Sequence, residues 1–281
     1  MSRQMKLRPK KRFGQHFLRD TGILNRLVER LNPGPGDLFL EVGAGSGALS
    51  ERLAARGATL VAVEVDGDQI PQLITALSPF PSAVVEHADI LTLDVEKTVS
   101  PYLADGRRLR IAGNLPYNIA TAIIERLFEL RLPVVDMTFL LQLEVAQRIT
   151  SMPRRRHYGY FSVLCQHLSE VEIGFRIRPG VFYPPPKVMS AVVTLRPRCE
   201  TSDRQFVKVL LWLAKAAFAH RRKTIANSMR FHPELASISE PLLSKAGIRG
   251  GRRAEELTVQ EYACLARVCL DNLPHAGANK I

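Results

Sequence analysis

The chain has 281 residues, enough for one large domain and one small one, and an ordinary balance of 46% hydrophobic and 23% charged residues. Its 39 Lys and Arg outnumber 27 Asp and Glu, for a net charge of +12, which predicts attraction to a polyanion, either nucleic acid or an anionic surface. No apolar run is long enough to span a bilayer, no signal-peptide pattern opens the chain, and the four cysteines form no Cys-x-x-Cys pair, so the expectation is a cytoplasmic protein with no membrane partner, no metal and reduced thiols.

Residues 1–20 read as a basic arm that includes Lys10, Lys11 and Arg12. Apolar residues then recur at helical spacing (Ile23, Leu24, Leu27, Val28, Leu31), with Asp20 or Thr21 as N-cap and a Pro-Gly-Pro-Gly stop at 33–36. Residues 38–42 form an apolar strand that runs into Gly43-Ala44-Gly45-Ser46-Gly47, followed by a helix bearing Leu49 and Leu53. A second strand at 60–65, a helix marked by Ile70, Leu73, Ile74 and Leu77, and strands at 83–87 and 110–113 come next. A helix with Ile123, Ile124, Leu127 and Phe128 precedes a strand at 137–141. This alternation predicts an α/β fold with a mostly parallel, doubly wound sheet.

Further on, strand-like segments at 171–177 and 191–195 flank the rigid loop Phe182-Tyr183-Pro184-Pro185-Pro186. Beyond Pro197 only helical periodicity survives, over 203–218, 223–230, 234–246 and 258–272. The expected organisation is an arm at 1–20, an α/β domain at 21–197 and a small all-helical domain at 198–281.

Three strand ends carry candidate chemistry. Glycines at 43 and 45 permit positive φ and close approach of a ligand at the carboxyl end of a strand. Glu64 follows Gly43 by about twenty residues, the spacing ~20 at which an acid meets a ribose. That pair alone also fits an NAD-binding fingerprint. Asp89 ends a third strand and is placed to accept from an adenine amino group. Asn114-Leu115-Pro116-Tyr117 then decides between the readings. The lone pair of an adenine N6 is delocalised into its ring, so an enzyme that alkylates it must hold the amine with acceptors and aim it at the electrophile. The Asn114 side-chain oxygen and the Leu115 carbonyl are such acceptors. Pro116 stiffens the turn, and Tyr117 offers a face for a base, an interaction worth ~1–3 kcal/mol. Phe182 is expected to cover the other face of a flipped base. An NAD-dependent dehydrogenase leaves this tetrapeptide unexplained.

Taken with residues 11–18 (Lys-Arg-Phe-Gly-Gln-His-Phe-Leu), 141–148 (Leu-Gln-Leu-Glu-Val-Ala-Gln-Arg), 182–190 and 218–227, these motifs make the chain resemble the ribosomal RNA adenine dimethyltransferase family. The resemblance implies a Rossmann-like class I methyltransferase domain followed by a small helical domain. S-adenosylmethionine would be the methyl donor, contacted by His16, Leu18, Gly43, Glu64, Asp89 and Asn114. The acceptors it implies are two adjacent adenosines in the 3′-terminal hairpin of 16S ribosomal RNA within the small subunit, and it implies a monomer. The sequence departs from the family at Leu143, where many members carry Lys. Macrolide-resistance enzymes of 23S RNA tend to read Asn-Ile-Pro-Tyr, so Leu115 argues against that branch. DNA adenine methylation and a non-catalytic assembly factor are the more distant readings. Expected RNA contacts are Lys10, Lys11, Arg12, the loop residues Arg154, Arg155 and Arg156, and Arg221, Arg222 and Lys223, with Arg249, Arg252 and Arg253 beyond them.

Overall fold

A computed structural model describes residues 10, 14–103, 106–198 and 204–272. The chain opens with a two-residue strand β1 (Phe17–Leu18) and helix α1 (Thr21–Leu31). The Asp20 carboxylate caps α1 by accepting from the Ile23 N–H at 2.8 Å, and Asn32 ends it in a left-handed conformation just before the Pro33 stop. Alternating strands and helices follow: β2 (Asp37–Val42), α2 (Ser50–Ala55), β3 (Thr59–Glu64), α3 (Ile70–Leu77), β4 (Ala83–His87), α4 (Val95–Val99), β5 (Arg108–Asn114), α5 (Ala120–Leu127) and β6 (Val134–Gln142). Helices α6 (Leu143–Ile149) and α7 (Tyr160–Leu168) precede β7 (Ser169–Ile177), β8 (Phe182–Tyr183) and β9 (Ser190–Pro197). Helices α8 (Arg204–Phe218), α9 (Ile225–Arg230), α10 (Ser239–Lys245) and α11 (Val259–Asn272) complete the chain as described.

Seven strands form one sheet in the order β4-β3-β2-β5-β6-β9-β7. The pairs β2–β3, β3–β4, β2–β5 and β5–β6 are parallel. Leu38, Phe39 and Leu40 are fully buried, as strands covered on both faces must be; that is why β2 reads as a continuous apolar run. The order reverses at β2. The chain runs outward through β3 and β4, then returns to place β5 on the other side. Open α/β sheets bind ligands at such a crossover, beyond the strands' carboxyl ends. Gly113 marks how closely the two strands meet, because a Cβ there would lie 2.3 Å from the Val42 carbonyl oxygen.

The chain divides into two compact units. The first takes residues 1–143 and 173–194. Its core joins α1 (Leu24, Leu27, Val28, Leu31) to Phe39, Leu53, Leu60 and Leu73. The second takes 144–172 and 195–281, so the division passes through β7 and β9. Its core gathers Tyr158 and Val163 with Leu210, Leu213, Ile225, Met229, Leu243, Tyr262 and Leu265. Both buried tyrosines satisfy their hydroxyls: Tyr158 donates to the Leu257 carbonyl and Tyr262 to the Ala254 carbonyl, each at 2.9 Å. The boundary expected near 198 therefore falls close to the second crossing, but residues 144–172 join the helices. The reason is packing, since Tyr158 and Val163 find their apolar partners in α8, α9 and α11. Helices α4, α6 and α7 and the β1–β8 pairing had no counterpart in the sequence reading.

Candidate active site

The first unit builds its site at the carboxyl ends of β2, β3 and β5. After Val42 the backbone turns through Gly43 (φ 74°) and Gly45 (φ 57°), a region that side chains disfavour. Gly43 donates its N–H to the Val63 carbonyl at 2.9 Å. Gly45 donates to one Glu64 carboxylate oxygen at 2.7 Å, and Asp66 N–H donates to the other at 2.8 Å. Lone pairs of the carboxylate remain to accept a further hydroxyl. Burial raises the Glu64 pKa above the usual carboxylate range, while these N–H groups oppose the shift.

Two cavities flank the glycine turn. The larger, about 510 Å³, is lined by Phe17, Arg19, Glu41, the glycine turn, Arg52 and Asn114 among others. The smaller, about 150 Å³, is lined by Gln15, His16, Glu64, Val65 and the 114–119 segment. Phe17, Gly43, Gly45 and Asn114 belong to both.

Asn114 stands at that junction. Its amide N–H donates to the His16 carbonyl at 2.7 Å, which directs the amide nitrogen toward His16 and leaves the side-chain oxygen to accept from something else. Leu115 is buried, with its N–H on the Leu140 carbonyl at 3.2 Å. The Tyr117 ring stacks on His16 at 5.3 Å, and its hydroxyl shares a 2.5 Å hydrogen bond with Ser190. Burial raises the Tyr117 pKa. His16 Nδ1 donates to the Pro184 carbonyl at 2.7 Å. One residue of the N-terminal segment thus touches Asn114, Tyr117 and the proline loop.

That segment is strapped down twice. β1 pairs antiparallel with β8, Phe17 opposite Tyr183 and Leu18 opposite Phe182. Upstream, Lys10 Nζ reaches Asp66 and Asp68, each at 2.6 Å, and Gln15 donates to Asp66 at 2.9 Å. Burial alone would raise the Asp66 pKa, yet hydrogen bonds from Lys10, Gln15 and the Asp68 N–H bring it below its ordinary value. Lys10, expected on RNA, is therefore a fastener of this strap. Lys11 and Arg12 lie outside the described residues.

Two further expectations meet a different placement. Phe182 is only 4% exposed and packs in the core of the first unit, because strand alternation turns it and Leu18 inward. Its outward neighbour is Tyr183, covered by the Arg19 guanidinium at 4.0 Å. Phe182 thus supports the loop and offers no open face to a base. Asp89 is exposed, caps the turn after β4 by accepting from the Leu91 N–H at 2.9 Å, and lines neither cavity. Glu41 was overlooked, although a lone acid inside an apolar strand was a visible signal.

In the second unit two predicted basic runs come together. Arg154, Arg155 and Arg156 are exposed on a loop whose Arg154 N–H donates to the Glu255 carbonyl at 2.7 Å. Arg221 donates to the carbonyls of Arg156 (3.1 Å) and Tyr158 (3.3 Å) and pairs with Glu255. Arg222 and Lys223 are exposed beside it, as are Arg249 and Arg253. Arg252 is committed to Glu261 and to the Glu256 carbonyl, so it braces the fold. Among the described residues, no group of three or more His, Cys, Asp or Glu side chains could hold a metal ion. No described helix is long and apolar enough to cross a membrane.

Comparison with known proteins follows the same lines. Residues 6–269 match the family model of ribosomal RNA adenine dimethylase. A protein of Methylococcus capsulatus named ribosomal RNA small subunit methyltransferase A is 37% identical over 92% of this chain and 97% of its own length. One of the same name from Xylella fastidiosa is 39% identical over 92% and 94%. Among solved structures, a dimethyladenosine transferase from Plasmodium falciparum superposes with a TM-score of 0.74 at 19% identity, covering 93% of this chain and 98% of that one, which speaks to the fold. The 23S rRNA methyltransferase ErmE superposes with a TM-score of 0.62 at 26% identity, covering 90% and 98%.

Proposed function

The chain belongs to the ribosomal RNA adenine dimethylase family, and from that premise we propose that it transfers methyl groups from S-adenosylmethionine to N6 of adenosines in the RNA of the small ribosomal subunit. The observation that carries the reading is Asn114, held by His16 at the junction of two cavities with its side-chain oxygen left to accept. The glycine turn fits the donor, since positive φ at Gly43 and Gly45 brings backbone close to a ligand and the retained lone pairs of Glu64 suit a ribose. The bound donor supplies a methyl group made electrophilic by the adjacent sulfonium.

The protein's share is positioning. Asn114 Oδ1 and the Leu115 carbonyl accept the two N6 hydrogens, which draws the amine's lone pair out of the ring and sets it in line with the methyl group. Pro116 fixes the angle between these acceptors. The Tyr117 ring, backed by His16 and tethered through Ser190, receives the base. No strong base is required, because the amine becomes acidic only as the new bond forms and water can take its proton. Most of the rate enhancement then comes from proximity and alignment.

The exposed arginines and Lys223 of the second unit bind phosphates, while the first unit reads splayed adenines. The finer assignment is two adjacent adenosines of the 3′-terminal hairpin of 16S RNA, each dimethylated by a monomer acting in the cytoplasm. Likeness to ErmE favours 23S RNA as the second reading. Labelled S-adenosylmethionine offered with undermethylated small subunits, naked 16S RNA, naked 23S RNA and duplex DNA separates the two. N6,N6-dimethyladenosine is expected mainly in small subunits. Label chiefly in 23S RNA would move the acceptor to the large subunit, and absence of label with tight subunit binding would refute transferase activity.

A further inference from the structure

Helix α9 ends on an aromatic ring that the core does not take. Phe231 is 62% exposed, the one exposed phenylalanine among the described residues. Its backbone is nonetheless held. The Phe231 N–H donates to the Ser228 carbonyl at 3.2 Å, and the next N–H, of His232, donates to the Met229 carbonyl at 3.0 Å. Trp212 Nε1 donates to His232 Nε2 at 3.0 Å, which ties that next residue to α8. The ring is thus pinned in the open, leaving apolar area against water that burial would have recovered.

A second ring backs the first. The centroid of His220, also exposed, lies 4.3 Å from that of Phe231, with the planes inclined by 50°. His220 opens the α8–α9 turn, which closes where the Lys223 N–H donates to the His220 carbonyl at 2.9 Å. Buried Ser228 braces the turn: its hydroxyl accepts from the His220 N–H at 3.2 Å and donates to the Ala216 carbonyl at 2.9 Å. The turn carries Arg221, Arg222 and Lys223, all exposed, and exposed Arg230 immediately precedes Phe231. Arg221 and Arg230 are paired with Glu255 and Glu240. No salt bridge among the described residues holds Arg222 or Lys223.

An open ring beside unpaired cations fits one ligand chemistry. Phosphates take the cations, and a base takes the ring. A second copy of this chain, at +12, would bring like charge to the same face. A base inside a duplex has both faces stacked already, so only an unpaired nucleotide has one to offer. Resting on the reading of this unit as RNA-binding, we infer that the α8–α9 turn seats an unpaired nucleotide: Phe231, backed by His220, stacks on its base, and Arg222 and Lys223 hold the flanking phosphates. All of these groups belong to the second unit, whereas the acceptors of the transfer chemistry belong to the first, so the contact serves recognition alone. The ring displaces no counter-ion. It therefore adds to affinity without adding to the salt dependence that the cations create.

The test titrates the full chain and the variants Phe231→Ala, Phe231→Leu and Phe231→Tyr by filter retention, over a salt series, against naked 16S RNA and a fully paired RNA duplex. Phe231→Ala is expected to weaken binding to 16S RNA by about 5- to 100-fold, the range for one stacked base, with an unchanged salt slope. Phe231→Tyr keeps the face and the affinity. Phe231→Leu keeps apolar bulk alone and behaves like Phe231→Ala. Duplex binding stays at the wild-type level in all three. Wild-type affinity of Phe231→Leu for 16S RNA overturns the inference, as does an equal loss on the duplex or a reduced salt slope. A lowered melting temperature of Phe231→Ala with RNA affinity intact makes the ring a clamp of the turn and also overturns it. So does a dimer in sedimentation that Phe231→Ala dissolves, which gives the face to a second copy. If the wild type does not bind 16S RNA, or if replacing Arg222 and Lys223 together leaves its salt slope unmoved, the RNA-binding reading of this unit is what falls.

Discussion

At the scale of single residues, Asn114 is the most exposed to test. Its side-chain oxygen is poised by a hydrogen bond on the other end of the amide. Asn114→Ala is expected to lower methyl transfer by about 10²–10³-fold or more, the usual cost of one positioned electrostatic partner, while RNA binding measured by filter retention stays near the wild-type value. Glu41 gives a second test, on stability. Its ordinary pKa of 4.5 holds in the unfolded chain, and the fold raises it to about 8. Between these values the unfolded state ionises and the native state keeps its proton, so the stability that Glu41 supplies below 4.5 is lost as pH rises to about 8. Glu41→Gln without ligand is therefore expected to melt close to wild type at pH 5 and about 5 °C or more above it at pH 8; equal melting points at pH 8 would refute this. Glu64, Asn114 and the glycines were legible because each ends an apolar run, where a polar residue or glycine stands out. Phe182 misled because its motif was plain while its direction depends on a strand partner far away in the chain. The proline loop said nothing of Leu18 opposite it.

At the scale of elements, the parallel strands announced themselves. A strand buried on both faces must be apolar throughout, and 38–42 is apolar except for Glu41. The two-residue strands β1 and β8 could not, since two residues have no period to detect. What sequence also concealed was the closeness of β2 and β5. Gly113→Ala places a methyl carbon 2.3 Å from the Val42 carbonyl oxygen, a backbone atom of the neighbouring strand. Such a contact cannot relax by a rotamer change. The substitution is expected to cost about 1–3 kcal/mol or more, read as a lower urea midpoint with an unchanged slope. Gly180→Ala, where nothing lies within 4 Å of the added carbon, is the control and should be nearly neutral.

At the scale of the whole molecule, the second unit is not contiguous in the chain. Residues 144–172 leave the first unit, join the C-terminal helices and come back. A linear scan sees only the change of pattern near Pro197 and carries no sign of the excursion at 144–172. The discontinuity also gathers charge, because Arg221 on the α8–α9 turn donates to the Arg156 carbonyl on the excursion and two distant basic runs become one patch. Replacing Arg222 and Lys223 with Ala is expected to weaken RNA binding and to reduce the slope of log affinity against log salt by about 1.4, taking ~0.7 per lost phosphate contact on single strands. S-adenosylhomocysteine binding should be unmoved. An unchanged salt slope would remove these two residues from the RNA interface.

The pairing of β1 with β8 has a consequence in time. The strap that carries His16 and Phe17 is synthesised well before its partner strand at Phe182–Tyr183, which emerges only after most of the first unit has been made. At ~5–20 residues per second, the early strand waits roughly ten seconds or more for it. Until then Asn114 lacks the Pro184-anchored His16 that orients it. A nascent chain that has not yet exposed Phe182–Tyr183 consequently lacks the contacts that orient Asn114, and the site is complete only when the loop closes.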